Sequence, residues 1–289
     1  MKISEILAEA KSRLKNSGVV NEGLDSLILL SHALSFSKEK VIFNPDFELD
    51  KEQQEKFFDL INRRSRREPI SHILEKREFY GRDFFVNSSV LDPRPDSETL
   101  IELVFKHFPQ KESSLKILEI GVGSGCLIIT VLKHFINARG IGLDISQKAL
   151  EIAQKNATSH EINSRITLQK SDLFSALQEN EKFDLIISNP PYIPSADIKN
   201  LQDEVKNFEP ILALDGGLDG LDFYRQIAAQ ANDFLNYEGK IILEIGQNQE
   251  KDVAEIFVKA GFLFSESKAD LAGIERVLCF VTRNCHAVE

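Results

Sequence analysis

The sequence predicts a doubly wound α/β fold, a parallel sheet covered by helices, preceded by a small helical bundle. Three observations carry that prediction. From Lys116 onward, apolar runs of strand length alternate with helical stretches, the pattern of a sheet buried on both faces. One such run, Lys116–Ile120, opens into Gly121-Val122-Gly123-Ser124-Gly125 and then a helical stretch from Cys126 to His134. A later run, Phe183-Asp184-Leu185-Ile186-Ile187-Ser188, stops at Asn189-Pro190-Pro191-Tyr192, because proline has no N–H to continue a ladder. Both strands therefore end in unusual turns at their carboxyl ends, where open α/β sheets place their ligands.

Composition narrows the class. The 289 residues suffice for one large domain and one small one. The contents, 42% hydrophobic and 28% charged, are those of a soluble globular chain. No apolar run approaches the roughly 18 residues that a membrane span needs, and the N-terminus lacks a signal-peptide core. Cys126, Cys279 and Cys285 are odd in number and lack metal-ligand spacing. This points to a reducing cytoplasm, with neither a disulfide framework nor a metal site. A net charge of −10 disfavours indiscriminate binding to nucleic acid. Residues 1–78 hold 14 basic and 14 acidic side chains, so the whole deficit lies beyond them.

Residues 1–75 are expected to be a separate helical domain. Ile3, Ile6, Leu7, Ala10 and Leu14 recur at helical spacing. Leu24, Leu27, Ile28 and Ala33-Leu34 follow a break at Asn21-Glu22-Gly23, and a third helix is expected from Asp50 to about Arg66 with Phe57, Phe58 and Ile61 buried. Arg63, Arg64, Arg66 and Arg67 form a basic cluster; it is either a solvated helix end favoured by the dipole or a contact for an RNA-associated partner. Residues 76–92 predict a β-hairpin linker around Gly81-Arg82, and residues 93–289 the α/β domain. Pro93-Arg94-Pro95-Asp96-Ser97-Glu98 is a rigid loop entering a helix; Asp96 or Ser97 caps that helix, or the loop shapes the mouth of a pocket.

The glycine loop gains meaning from its context. A second strand ends at Gly142-Leu143-Asp144, about 20 residues on, where Asp144 would accept hydrogen bonds from both hydroxyls of a ribose. An adenosine-bearing cofactor is indicated. The spacing is Gly-x-Gly-x-Gly rather than the dinucleotide Gly-x-Gly-x-x-Gly, which tilts the choice from a nicotinamide cofactor to S-adenosylmethionine. A third strand, Ile166 to Leu173, carries Asp172 at its end, either to bond the adenine amine with Leu173 beside the ring or as an ordinary strand-end acid. Further strands are expected at Lys240–Ile245, Gly261–Phe264 and Val277–Val281. The glycine-rich stretch Leu214 to Tyr224 either covers the pocket or is a plain turn before a helix.

Asn189-Pro190-Pro191-Tyr192 suits the gripping of an –NH2 group by both hydrogens. Asn189 offers a side-chain carbonyl, Pro190 a backbone carbonyl and Tyr192 a flat face. Two in-plane acceptors hold a planar amide or aromatic amine and favour the charge its nitrogen develops on attacking an electrophile. Asn-Pro on its own is also a common strand-ending turn.

Together with the helical N-terminal region, these motifs resemble the PrmC/HemK methyltransferases. Glu68-Pro69-Ile70-Ser71-His72, Arg77-Glu78-Phe79-Tyr80, Pro93 to Glu98, Leu214 to Gly220 and Asp270-Leu271-Ala272-Gly273 support the resemblance, which covers essentially the whole chain. It implies a class I S-adenosylmethionine-dependent, Rossmann-like methyltransferase domain. The implied reaction is N(5)-methylation of the glutamine in the Gly-Gly-Gln motif of class 1 peptide-chain release factors, in support of translation termination. By position, Gly121, Val122, Gly123, Ser124, Gly125, Asp144, Asp172, Leu173 and Asn189 would hold the cofactor. Asn189, Pro190, Pro191 and Tyr192 would bind the glutamine amide, with Asn189, Pro190 and Tyr192 catalytic. Leu173 stands where some relatives place an aromatic; Asp92 and Ser97 stand where an apolar residue and Thr are usual. The release factor is the implied partner of a monomer, with no direct nucleic acid and no membrane. Methylation of adenine N6 in DNA or RNA, and a non-catalytic cofactor-binding adaptor, are the alternatives that the residues leave open.

Overall fold

The computed structural model describes residues 1–282, so Cys285 lies outside the described residues. They form two compact units: residues 1–76 with 202–208, and residues 77–201 with the chain from 209 onward.

The first unit is built on α1 (Ile3–Asn16), α2 (Glu22–Leu34), α3 (Lys38–Phe43), α4 (Lys51–Ser65) and α5 (Ile70–Leu74). The helical spacing in α1 buries Ile3, Ile6, Ala10 and Leu14 in one core with Leu29, Leu30, Phe57 and Ile61. Helix α4 begins at a reciprocal cap: Asp50 Oδ1 accepts from Gln53 N at 2.8 Å, and Asp50 N donates to Gln53 Oε1 at 3.1 Å. Helix α2 starts at Glu22, inside the stretch expected to be a break; Glu22 and Asp25 in its first turn suit the dipole and offset the weak propensity of Gly23.

The arginine cluster is largely consumed within this unit. Arg64 is buried, and its Nε donates to Asp25 Oδ2 at 2.8 Å. Arg64 and Arg67 share Glu204, at 3.1 and 2.6 Å, and Arg63 takes Glu68 at 2.5 and 2.9 Å. Of the four, Arg66 is the exposed one. The cluster serves internal acids, which leaves little charge for an anionic partner.

In the second unit, β1 (Arg77–Phe79) and β2 (Arg82–Phe84) form the expected hairpin. Its two-residue turn has φ of +50° at Tyr80 and +70° at Gly81, the geometry that matches the twist of paired strands. Phe79 and Phe84 are buried in the core of this unit. There follow α6 (Glu98–His107), β3 (Lys116–Ile120), α7 (Cys126–His134), β4 (Arg139–Asp144), α8 (Gln147–Ser159), β5 (Ile166–Lys170) and β6 (Phe183–Ser188). After α9 (Asp203–Phe208), which belongs to the first unit, come α10 (Asp222–Gln230), β7 (Leu235–Glu244), α11 (Glu250–Lys259), β8 (Phe262–Ala269) and β9 (Glu275–Thr282).

The seven strands run in the order β5-β4-β3-β6-β7-β9-β8, with β5 to β7 parallel and β9 antiparallel to both neighbours. Alternate residues of one strand serve opposite faces: Leu185 and Ile187 pack with α6, α7 and α8, while Ile186 packs with Tyr224, Ile227, Val253 and Phe257 of α10 and α11. Strand β8 runs to Ala269, five residues past the expected Phe264. It is the sheet edge, and Ser265-Glu266-Ser267-Lys268 gives it the polar, charged face that protects an edge; that polarity hides the strand from a hydrophobic reading.

Asn156 ties three pieces of this unit together. It is buried on α8; its Nδ2 donates to Phe85 O at 2.9 Å and Ser124 O at 2.8 Å, and its Oδ1 accepts from Phe85 N at 2.7 Å. Asn156→Ala strands these backbone groups in the interior and is expected to cost about 2–4 kcal/mol of stability. Urea unfolding measures this; a loss under about 1 kcal/mol would mean that the three bonds are replaced at no cost.

Candidate active site

Strand β3 is paired on one side with β4 and on the other with β6, and all three end level: Ile120 stands opposite Leu143 and opposite Ser188. The Ser188 hydroxyl donates to Ile120 O at 2.8 Å, which fastens the two strand ends. The chain turns in opposite directions along the sheet from β3, and the crevice this leaves is the switch point at which such sheets bind ligands. A cavity of about 310 Å³ opens there, wholly within the second unit.

The glycine loop forms its floor, and Gly121, Val122, Gly123 and Ser124 line it. Gly121 N and Val122 N donate to Leu143 O at 2.8 and 2.9 Å, which binds the loop to the end of β4. Gly121 and Gly123 have φ of +74° and +52°, and no heavy atom lies within 4 Å of where a Cβ would stand, so bare backbone faces open space. Gly125 is not in the lining; it precedes α7, where a Cβ would meet Ile129 Cδ1 at 2.9 Å. It needs glycine for packing and for its left-handed φ of +80°.

Asp144 lines the cavity with its carboxylate already oriented. Oδ2 accepts from Gly123 N at 2.9 Å and Oδ1 from Ser146 N at 2.8 Å. Burial raises its pKa, and the backbone N–H groups of Ser146, Gly123 and Ile145 oppose the rise. Each oxygen keeps acceptor capacity for one further donor, as a vicinal diol requires. Asp172 and Leu173 also line the cavity, beyond β5, which stops at Lys170 rather than continuing to Leu173. Asp172 is exposed, and Leu173 has the left-handed φ of +48°, rare for a branched side chain. Bare glycine backbone, an oriented carboxylate and an apolar side chain at the third strand end fit an adenosine-bearing cofactor.

Asn189, Pro190 and Pro191 line the same cavity. Tyr192 does not: it stands behind the turn, its ring against Gly246, where a Cβ would meet Tyr192 Cδ2 at 2.9 Å. Gln249 Nε2 donates to Tyr192 O at 3.0 Å. Of the stretch Leu214 to Tyr224, residues 214–220 back this turn, while Phe223 of α10 lines the cavity. Gly216 N donates to Ile193 O at 2.8 Å, and a Cβ on Gly216 would come within 2.8 Å of Pro191 O.

The loop Pro93 to Glu98 takes the second of its two expected roles, with Pro93, Arg94 and Ser97 in the cavity lining, while Glu119 and Glu244 escape the sequence reading. Ser97 does not cap α6; it lies in a helical conformation with no capping bond, and its hydroxyl turns to the cavity wall instead. Glu119, 1% exposed, accepts from Ile128 N of α7 at 2.9 Å, and burial pushes its carboxyl well above the ordinary range. Glu244, also 1% exposed, accepts the Ser97 hydroxyl at 2.5 Å. A signal existed: Leu118-Glu119-Ile120-Gly121 and Leu243-Glu244-Ile245-Gly246 repeat one pattern, an acid inside an apolar strand end, and a buried acid needs a reason.

Comparison with known proteins follows the same division. Residues 5–74 match the family described as PrmC N-terminal domain, and residues 96–218 match the methyltransferase small domain. A release factor glutamine methyltransferase of Geobacter sulfurreducens is 40% identical over 276 residues, covering 96% of this chain and 95% of that protein. One from Agrobacterium fabrum is 37% identical over 281 residues, with 96% of each covered. A bifunctional methyltransferase of Rickettsia conorii is 38% identical over 96% of this chain and 57% of its own. The crystal structure of a methyltransferase from Pyrococcus furiosus shares the fold, with a TM-score of 0.52 at 20% identity over 76% of this chain and 98% of that one.

Asp144→Asn replaces one acceptor oxygen by a donor that faces a backbone N–H or a ligand hydroxyl. Affinity for an adenosine-bearing ligand is expected to fall about 10- to 100-fold with the melting temperature little changed. Calorimetric titration with S-adenosylhomocysteine measures it, and unchanged affinity would remove Asp144 from the site.

Proposed function

The chain belongs to the family of release factor glutamine methyltransferases, and we propose that its cavity brings the glutamine amide of a class 1 release factor, in the Gly-Gly-Gln motif, against S-adenosylmethionine. The observation that carries this is the meeting, in one cavity, of the glycine loop of β3 with the Asn189-Pro190-Pro191 turn of β6.

Residues 121–124, Asp144, Asp172, Leu173 and Asn189 would hold the cofactor, which would supply a methyl group on a positively charged sulfur. This chain supplies the grip on the other reactant. Asn189 Oδ1 and the Pro190 carbonyl accept the two N–H bonds of the amide and hold its nitrogen in line for transfer. A primary amide is a poor nucleophile because its lone pair is delocalised. The two carbonyl dipoles are fixed in advance and stabilise the positive charge that the nitrogen gathers. Once methylated, the nitrogen carries an acidic proton, and water can take it. Tyr192, with burial pushing its pKa up, stays neutral and supports the turn. The internal pairing of the arginine cluster disfavours the nucleic-acid alternative. The proposal places the enzyme in a reducing cytoplasm as a monomer, in keeping with the free Cys126 and Cys279. Among the described residues no helix is long and apolar enough to cross a membrane.

Labelled S-adenosylmethionine offered with a release factor, its Gln-to-Ala variant and DNA tests the substrate. Label is expected on the wild-type factor alone; label on DNA would favour the adenine reaction. Asn189→Ala is expected to keep the fold and lose about 100- to 1,000-fold in turnover, and wild-type turnover in that variant would sink the mechanism.

A further inference from the structure

Behind Asn189 lies a hydrogen-bond chain whose direction is determined. Asn189 Nδ2 donates to Ser97 Oγ at 3.2 Å, and the Ser97 hydroxyl donates to Glu244 Oε2 at 2.5 Å. A serine hydroxyl has one hydrogen. While Glu244 is an ionised carboxylate it can only accept, so Ser97 must spend that hydrogen on it. Ser97 can then offer Asn189 only a lone pair. That lone pair, together with Glu244 itself, takes the Nδ2 end and leaves Oδ1 as the free end of the carboxamide.

We propose that Glu244 is a positioning residue: through the Ser97 hydroxyl it sets which end of the Asn189 carboxamide the substrate amide meets. The inference rests on the reading that Asn189 Oδ1 accepts from the substrate. A protonated Glu244 donates to Ser97, which frees the serine hydrogen to point at Asn189 and stabilises the inverted carboxamide. The inverted carboxamide presents Nδ2, a donor, to a substrate N–H, also a donor.

The surroundings make Glu244 able to switch. It sits at the end of β7, fully enclosed, with Tyr192 OH 3.5 Å from Oε1 and Tyr224 OH donating to its backbone carbonyl at 3.0 Å. Burial raises its pKa to about 7, opposed by the Ser97 bond, by the Arg276 charge and by the Asn189 amide, while Asp96 raises it further. Arg276 is itself engaged by Asp270 at 2.9 Å and Asp96 at 3.2 Å, which weakens its hold on Glu244. Cys126, Tyr192 and Tyr224 also lie within electrostatic reach of Glu244, and all three stay protonated because burial pushes their pKa values up. The active form is the deprotonated one, so transfer is lost as pH falls through the region of 7.

The test is single-turnover methyl transfer to a release factor at saturating cofactor, from about pH 5.5 to about pH 9. Wild type is expected to show a one-proton rise near pH 7. Glu244→Gln and Ser97→Ala are expected to be slower by about 10- to 100-fold at the plateau and to lack that rise. Ser97→Thr, which keeps the hydroxyl, should retain both rate and rise. In the cofactor-free protein, infrared titration should show a buried carboxylic acid near pH 7 that is missing from Glu244→Gln. A rise that survives in Glu244→Gln, or a wild-type rate in Glu244→Gln or Ser97→Ala, overturns the proposal. Asn189→Ala separates the two levels: if it is inactive while the Glu244 and Ser97 variants behave as wild type, the grip on the amide stands and the relay fails.

Discussion

Three parallel strands that end level are the constraint on which the site depends. With Ile120 opposite both Leu143 and Ser188, the loop after β3, the acid at the end of β4 and the turn after β6 are delivered to one crevice. A slip of one residue in any pair would send the alternating side chains to the wrong face and misplace a strand end by about 3.3 Å. Apolar burial on both faces forbids that slip, since Leu185 and Ile187 serve one core and Ile186 the other. The core thus sets where the strand ends stand, and the site's own hydrogen bonds fasten the loops to them.

The same strands carry two acids into the interior. Glu119 and Glu244 occupy equivalent places, one residue before an isoleucine-glycine exit, and each faces a different compensation. Glu119 receives a backbone N–H from the first turn of α7, where the dipole favours a carboxylate. Glu244 receives a hydroxyl and the partly engaged Arg276. Removing a carboxylate from water costs several kcal/mol, so both positions spend stability on polar order near the cavity.

Much of this was legible in the residues. The strand, glycine loop and helix from Lys116 to His134 have the bounds that their pattern predicted, because a buried strand and an apolar helix both declare themselves through long runs. The hairpin was legible through glycine and its flanking aromatics, but its turn is Tyr80-Gly81, one residue before the expected Gly81-Arg82, because Arg82 pairs with Phe79. The place of the Ser97 loop at the pocket was one of two readings the residues allowed, but the partner of its hydroxyl, 147 residues away, is revealed only by tertiary structure. The polar half of β8 was hidden for the opposite reason: its ladder is made by backbone groups, which side-chain hydropathy does not report. The placement of Tyr192 behind the turn rather than in the lining likewise depends on Gly246, which is remote in sequence.

The two prolines after Asn189 have a consequence for how the reaction ends. Prolines contribute carbonyls and no N–H, so the wall they form beside Asn189 can only accept. On the proposed function, an unmodified amide would bring two donors, one to Asn189 Oδ1 and one to the Pro190 carbonyl. The methylated amide brings one donor and a methyl group, and a buried acceptor left facing a methyl costs about 1–3 kcal/mol. On the proposed function, the wall would therefore bind its product less well than its substrate. This favours departure after one turnover and opposes a second methyl on the same nitrogen. Stopping at a single modification is a property of which backbone groups are missing.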